Sequence, residues 1–244
     1  MVEEYVYGTS KRIFINTAIG CNACCKYCYM PKLGYSNKEK IISGEAAVKL
    51  VMNMSCFKRG QNGTILSLGC YSECLDLENI RETKKVITNL LPLENQIQLA
   101  TKQKVTEDIC KLIRNFRRYT EQIKIYISMP TISRVDQLEP GTVSIEQRIL
   151  NIENCIKYKI PVVLYIKPFL ENITENDLKD YIKIVKKYRI PVVIGGYLDT
   201  EEKKEVADVG NGRLYEMNNE EKRKWFEYEL SKYTEVYEHS IECC

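Results

Sequence analysis

The chain has 244 residues, of which 44% are hydrophobic and 28% are charged, a composition typical of a globular protein that buries a full core. Its 36 basic residues exceed its 33 acidic residues by only three, and a net charge of +3 excludes a strongly basic nucleic-acid-binding tail. No apolar run approaches the roughly 20 residues that span a bilayer, so we expect no membrane-spanning helix and no membrane partner. The first residues lack the basic-then-apolar pattern of a signal peptide, which favours a cytoplasmic protein.

Short β-branched runs alternate with amphipathic stretches along the chain. The six predicted strands are Arg12–Thr17, Thr64–Leu68, Ile97–Thr101, Lys124–Ser128, Pro161–Ile166 and Pro191–Gly195. The predicted helices are Ser43–Met54, Leu77–Asn89, Thr106–Arg117, Ser144–Tyr158, Glu175–Tyr188 and Glu220–Tyr233. Six βα repeats predict parallel strands joined by right-handed crossovers, in a doubly wound sheet or a partial barrel. In either fold the functional site lies at the carboxyl ends of the strands.

The charge pattern changes near residue 200. We predict one α/β domain that contains all six strands over residues 1–200. Residues 201–244 are rich in Glu and Lys, and we predict that they form a charged C-terminal extension with one closing helix.

Cysteine is unusually abundant, with 11 residues. An odd number of cysteines in a chain without an export signal argues against a disulfide framework and favours metal or thiol chemistry. His239 is the only histidine, which excludes a histidine-rich metal site. Acid–base chemistry must therefore come from carboxylates, Lys, Tyr or Cys.

Three cysteines follow the first predicted strand, in the spacing Cys21-x3-Cys25-x2-Cys28. Thiolates are the usual ligands of a cubane iron–sulfur cluster, and three of them on one loop leave the fourth iron open to a substrate or cofactor. The alternative is a structural zinc site that takes Cys24 as its fourth ligand. Adjacent ligands such as Cys24 and Cys25 converge poorly on one ion, so the spacing favours the cluster.

This motif, Cys21-x3-Cys25-x-Tyr27-Cys28, placed at the start of six βα repeats, resembles the radical S-adenosylmethionine (SAM) superfamily. The resemblance implies a partial (β/α)6 barrel of parallel strands and a [4Fe–4S] cluster on the three cysteines. It also implies that SAM chelates the open iron and is cleaved to a 5′-deoxyadenosyl radical, which abstracts hydrogen from a substrate. The electron for that cleavage would come from an external donor of the flavodoxin or ferredoxin type.

The segments that end the next strands narrow the resemblance to spore photoproduct lyase and its relatives. Ser67-Leu68-Gly69-Cys70-Tyr71-Ser72-Glu73 ends the second strand, and Ala100-Thr101-Lys102 ends the third. The match implies that Cys70 returns a hydrogen atom to the substrate radical, assisted by Tyr27 and Tyr29. The residues that it implies in SAM binding are Tyr27, Tyr29, Ser72, Lys102 and Ser128. Arg148 is expected to pair with Glu139, or with a cofactor carboxylate.

Several hypotheses about the substrate and the activity stay open. The resemblance implies a nucleobase-containing or nucleic-acid substrate, but peptide-modifying enzymes and epimerases also use a cysteine donor. Phosphate contacts dominate DNA affinity, so a chain with a net charge of only +3 and no basic stripe is a poor duplex binder. Two non-catalytic alternatives are a zinc- or cluster-binding protein and a module that binds SAM without cleaving it.

Overall fold

The computed structural model describes residues 5–35, 40–195 and 220–243, so the predicted boundary at residue 200 lies outside the described residues. The strands are β1 (Val6–Gly8), β2 (Arg12–Ile15), β3 (Ala18–Ile19), β4 (Lys40–Ile41), β5 (Ile65–Leu68), β6 (Ile97–Thr101), β7 (Ile123–Ser128), β8 (Val162–Ile166), β9 (Val192–Ile194) and β10 (Val236–Tyr237). The α-helices are α1 (Gly44–Asn53), α2 (Ile80–Leu90), α3 (Glu107–Phe116), α4 (Val135–Leu138), α5 (Ile145–Lys157), α6 (Leu178–Tyr188) and α7 (Glu220–Ser231).

Eight strands form one sheet in the order β1-β2-β5-β6-β7-β8-β9-β10. The six predicted strands are β2 and β5 to β9, and all of them pair in parallel. They follow one another in chain order, without the reversal of strand order that marks a doubly wound sheet. This order selects the partial (β/α)6 barrel and confirms the predicted α/β fold.

Alternate residues of each strand separate the two faces of the sheet. Ile125 and Ile127 of β7 join the main hydrophobic core, which the helices cover. Tyr126 lies between them and packs on the opposite, concave face with Val163 and Cys243. The helices therefore lie outside the partial barrel, and the concave face is its interior.

The C-terminal chain closes part of this interior. Strand β10 extends the sheet by pairing in parallel with β9. Beyond it, the Ser240 carbonyl accepts a hydrogen bond from the Gln98 amide at 2.7 Å, and the Ser240 hydroxyl accepts one from Arg12 at 2.9 Å. Lys124 donates to the Cys243 carbonyl at 2.5 Å. These bonds form a polar floor beneath the carboxyl ends of the strands.

The elements that sequence patterns missed are all short. Strands β1, β3, β4 and β10 and helix α4 have two to four residues each, too few to establish a hydrophobic period. Strand β1 pairs antiparallel with β2 at one edge of the sheet, and β3 pairs with β4 beside the cysteine motif. Within the described ranges, no helix combines the length and apolar character that crossing a membrane requires.

Candidate active site

The cysteine motif forms a loop after β3 that is docked on the segment after α4. The backbone N–H of Lys26 donates to the Leu138 carbonyl at 2.8 Å, and the N–H of Gly141 donates to the Ala23 carbonyl at 3.0 Å. A Cβ atom at Gly141 would lie 2.6 Å from the Cα of Ala23, closer than such atoms approach. Only glycine therefore allows this contact between the loop and the segment.

The loop directs three of its four cysteines toward the same region. Cys25 is buried in a cluster that also includes Cys21, Cys28 and Tyr27. Cys24 is exposed and has a φ of 52°, so its side chain lies apart from those of the other three cysteines. Within the described part of the chain, no three His, Cys, Asp or Glu side chains converge on a single-ion site. Three thiolates on one loop are the donor set that a cubane cluster with one open iron takes.

Burial governs the protonation of these thiols. It raises the pKa of Cys21 and of Cys25 to about 12. Both groups are therefore thiols at neutral pH when no metal is bound, and a cluster held by these two residues would release their protons as it binds.

Cys70 and Tyr29 meet at the carboxyl end of β5. The Tyr29 hydroxyl donates to the Cys70 carbonyl at 2.7 Å and lies 3.7 Å from the Cys70 sulfur. Burial, and after it the neighbouring Cys70, raises the pKa of Tyr29 well above its usual value. The phenol keeps its hydrogen, and it lies beside the thiol that the sequence singled out.

Lys102 places a cation beside the cysteine loop. Its Nζ lies 5.7 Å from the centroid of the Tyr27 ring. Burial alone would lower the pKa of Lys102, but the attraction of nearby acidic groups, of which Glu139 is the strongest, outweighs it and raises the pKa. The Glu73 carboxylate accepts a hydrogen bond from the backbone N–H of Lys102 at 2.8 Å. This bond fixes the backbone at Lys102.

The two predicted serines lie at the end of β7 and in the loop after β5. Ser128 ends β7, and its buried hydroxyl is without a hydrogen-bond partner among the described residues. Such a group is costly unless a ligand satisfies it, so Ser128 fits a site for a polar cofactor. Ser72 is half-buried, and its hydroxyl accepts a long hydrogen bond from Asn79 at 3.4 Å.

Two buried carboxylates complete the site, although the sequence analysis did not place either in it. Glu73 also accepts a hydrogen bond from the Thr101 hydroxyl at 2.5 Å. Glu139 accepts one from the Tyr27 hydroxyl and pairs with Arg148 at 2.6 Å. A single glutamate in a loop segment has no sequence pattern that indicates burial. Of the two, only Glu139 was indicated by the sequence, through its expected pair with Arg148.

The comparisons with known proteins concern the family and the fold of the chain. The sequence profile of the Radical SAM superfamily matches residues 15–205, whereas no protein of curated function matches the sequence. A structure of spore photoproduct lyase complexed with dinucleoside spore photoproduct is similar, with a TM-score of 0.63 and 15% identity over 90% of this chain and 74% of that chain. A structure of Streptococcus suis SuiB bound to S-adenosylmethionine has a TM-score of 0.64 and 9% identity over 94% of this chain.

This chain covers only 50% of that SuiB chain. At these identities the two structures establish a shared fold, and the family assignment rests on the profile match across most of the chain. Enzymes of the matched superfamily use a [4Fe–4S] cluster and SAM, and they need an external electron donor. The chain belongs to the radical SAM superfamily, and it is an enzyme of that family.

Proposed function

We propose that this enzyme abstracts hydrogen from a small nucleobase-containing substrate, and that Cys70 returns a hydrogen atom to the substrate radical. The observation that carries the proposal is the position of the half-buried Cys70 thiol, 3.7 Å from the Tyr29 hydroxyl at the carboxyl end of β5. When bound, the cluster and SAM supply the species that abstracts hydrogen. The thiol then offers a weak S–H bond to a carbon radical.

Each predicted site residue has a proposed role that the family resemblance implies and that its surroundings allow. Cys21, Cys25 and Cys28 hold the cluster. Lys102 attracts the SAM carboxylate by a charge-assisted hydrogen bond. The remaining SAM contacts are assigned to Tyr27, Tyr29, Ser72 and Ser128.

Two observations support the substrate class. Spore photoproduct lyase, which shares this fold, has been solved with a dinucleoside lesion. The concave face also carries the partly exposed ring of Tyr165, which packs edge to face on the buried Tyr126 with centroids 5.6 Å apart. A net charge of +3 favours a small substrate over duplex DNA, because phosphate contacts dominate duplex affinity.

The proposed partner is a small electron donor of the flavodoxin or ferredoxin type. The free thiols of this site need a reducing compartment, which supports a cytoplasmic location.

The first test is SAM cleavage under anaerobic conditions. The protein is reconstituted with iron and sulfide, reduced with dithionite and supplied with SAM, and 5′-deoxyadenosine is measured by mass spectrometry. We expect the wild type to form it and Cys25→Ala to form none. Reconstituted protein that carries a cluster and binds SAM without cleaving it would instead support the binding-module alternative.

The second test addresses Cys70 and the substrate. Dinucleoside spore photoproduct is supplied in deuterated water, and the label in the product is measured. We expect deuterium in products of the wild type and of Cys56→Ala, a matched cysteine control, and none in those of Cys70→Ala. If deoxyadenosine forms while the dinucleoside stays unchanged, the nucleobase assignment is wrong, and the peptide-modifying alternative takes its place.

A further inference from the structure

Arg12 places a positive charge inside the partial barrel. It is the first residue of β2, in which Ile13 and Ile15 join the main hydrophobic core. Because side chains alternate along a strand, Arg12 and Phe14 lie on the opposite, concave face. The Arg12 side chain is half-buried there, as part of the polar floor. Arg12 was not among the residues that the sequence singled out.

Three hydrogen bonds and one aromatic contact hold the Arg12 guanidinium in place. Its Nε donates to the Ser67 hydroxyl at 2.7 Å. Its Nη2 donates to the side-chain oxygen of Gln98 at 2.7 Å and to the Ser240 hydroxyl at 2.9 Å. The central carbon of the guanidinium lies 4.7 Å from the centroid of the Phe14 ring. The group is therefore ordered before any ligand binds, so a ligand loses little affinity in ordering it.

None of these contacts neutralises the charge of Arg12. All three acceptors are neutral oxygens, and no ion pair among the described residues includes Arg12. By contrast, the buried Arg148 pairs with Glu139 at 2.6 Å, and the buried Arg223 pairs with Glu227 at 2.7 Å. A charge that is withdrawn from water is costly unless an opposite charge compensates it. The surroundings of Arg12 therefore favour an anionic ligand.

The guanidinium also has donors left for such a ligand. In the part of the chain that the structure describes, its Nη1 has no hydrogen-bond acceptor. Nη1 carries two N–H groups in the plane of the guanidinium, a geometry that suits two oxygens of one phosphate group.

The depth of Arg12 in the barrel sets the size of the ligand. The guanidinium lies beside Ser67, which precedes Cys70 by three residues. At about 3.3 Å per residue, the guanidinium lies roughly 10 Å at most below Cys70. The partly exposed ring of Tyr165 lies on the same concave face. Burial raises the pKa of Tyr165 to about 12, and the positive charge of Arg12 opposes this rise, so the charge acts within the interior.

We propose that Arg12 binds a phosphate group of the substrate, so that the substrate is a nucleotide instead of a free nucleoside. The inference rests on the proposed function, in which a small nucleobase-containing substrate meets Cys70. A nucleoside monophosphate has the length to reach from Cys70 to Arg12. Its phosphate carries between one and two negative charges at neutral pH and forms charge-assisted hydrogen bonds with a guanidinium.

The test compares the four common deoxynucleosides with their 5′-monophosphates. The full-length protein is reconstituted with its cluster, saturated with SAM without reductant, and titrated with each compound by calorimetry. We expect at least one monophosphate to bind roughly ten- to a hundredfold more tightly than its nucleoside, the gain typical of hydrogen bonds to a charged group. In Arg12→Gln this ratio of Kd values should fall close to one, whereas Arg12→Lys, which keeps the charge, should retain part of it.

The nucleoside in each pair reports general damage to the interior. If Arg12 only supported the polar floor, Arg12→Gln would weaken nucleoside and monophosphate equally and leave their ratio unchanged. Lys124→Gln is the matched control, because Lys124 is a second cation of the polar floor, donates to the Cys243 carbonyl at 2.5 Å and pairs with Glu121 at 3.8 Å. We expect this variant to keep the wild-type ratio. An unchanged ratio in Arg12→Gln overturns the proposal.

Inorganic phosphate is the further probe that separates this inference from the proposed function. Phosphate binding that is lost in Arg12→Gln, with no binding of any nucleoside or nucleotide, would support the phosphate site and reject the nucleobase assignment alone. Nucleosides that bind the wild type as tightly as their monophosphates do would reject this inference alone. The absence of all binding would reject both.

Discussion

Glu139 and Arg148 form a salt bridge of 2.6 Å in which both side chains are fully inaccessible to solvent. Glu139 also accepts a hydrogen bond from the hydroxyl of Tyr27, which lies on the cysteine loop. Arg148 donates to the Ser128 carbonyl at the end of β7, at 2.8 Å. The pair therefore links the loop that carries the three cysteines to the sheet that carries the rest of the site.

Breaking this pair should destabilise the fold. Glu139→Gln leaves the Arg148 charge buried without a counter-charge, and such losses cost about 3–5 kcal/mol. We expect a loss of this size in the free energy of unfolding, measured by urea denaturation. Glu107→Gln is the control, because the exposed pair of Glu107 and Lys157 is screened by solvent and should contribute little to stability. Equal effects of the two substitutions would contradict the structural role of Glu139.

Lys102 should contribute to SAM affinity. A hydrogen bond to a charged group contributes about 1.5–3 kcal/mol, so Lys102→Met should raise the Kd for SAM by roughly ten- to a hundredfold. The measurement is equilibrium dialysis of SAM against the reconstituted protein. Lys104→Met, which removes an exposed lysine two residues away, is the matched control. A Kd that is the same for both variants would show that Lys102 does not contact the cofactor.

The approach of Gly141 to Ala23 should control cluster assembly. A methyl group at Gly141 would collide with the backbone of Ala23, so Gly141→Ala should displace the cysteine loop. We expect a clear fall in iron and sulfide content after anaerobic reconstitution. Gly60→Ala is the control: Gly60 has a φ of 105° but open space around it, so this variant is strained without touching the loop. Iron content that falls equally in both variants would point to general destabilisation.

The buried tyrosines predict a loss of stability in alkali. Burial, and after it Asp177, raises the pKa of Tyr181 well above its usual value of 10, and its hydroxyl donates to the Met129 carbonyl at 2.8 Å. Above about pH 10 the unfolded chain loses this proton and the folded chain keeps it, so stability falls by about 1.4 kcal/mol per pH unit for each such tyrosine.

Tyr181→Phe should therefore make the fall in stability above pH 10 less steep, although it lowers stability at pH 8 by about 1 kcal/mol through the lost hydrogen bond. Urea unfolding at a series of pH values measures the slope. The substitution Tyr228→Phe on the exposed face of α7 should leave that slope as it is in the wild type. A Tyr181→Phe slope equal to that of the wild type would show that Tyr181 ionises within the folded protein.

Local patterns determined most of the secondary structure and predicted the loop that would hold a metal cluster. The β-branched runs located β2 and β5 to β9, because strands buried on both faces need apolar residues throughout. Ser43 and Ser144 marked the starts of α1 and α5, where each hydroxyl accepts a backbone N–H of the first turn. The spacing of Cys21, Cys25 and Cys28 predicted a cluster site, since the three proposed ligands lie in one short segment.

Only the tertiary structure decided how distant residues meet. Six βα repeats are compatible with two architectures, and the strand order and the placement of the helices selected the partial barrel. Tyr27 and Glu139 are separated by 112 positions, and their contact depends on how α4 packs on the cysteine loop. Tyr7 stacks on Tyr71 from a three-residue strand too short to have a detectable period. Sequence patterns record local conformation and burial, whereas the environment of a side chain depends on which segments fold against it.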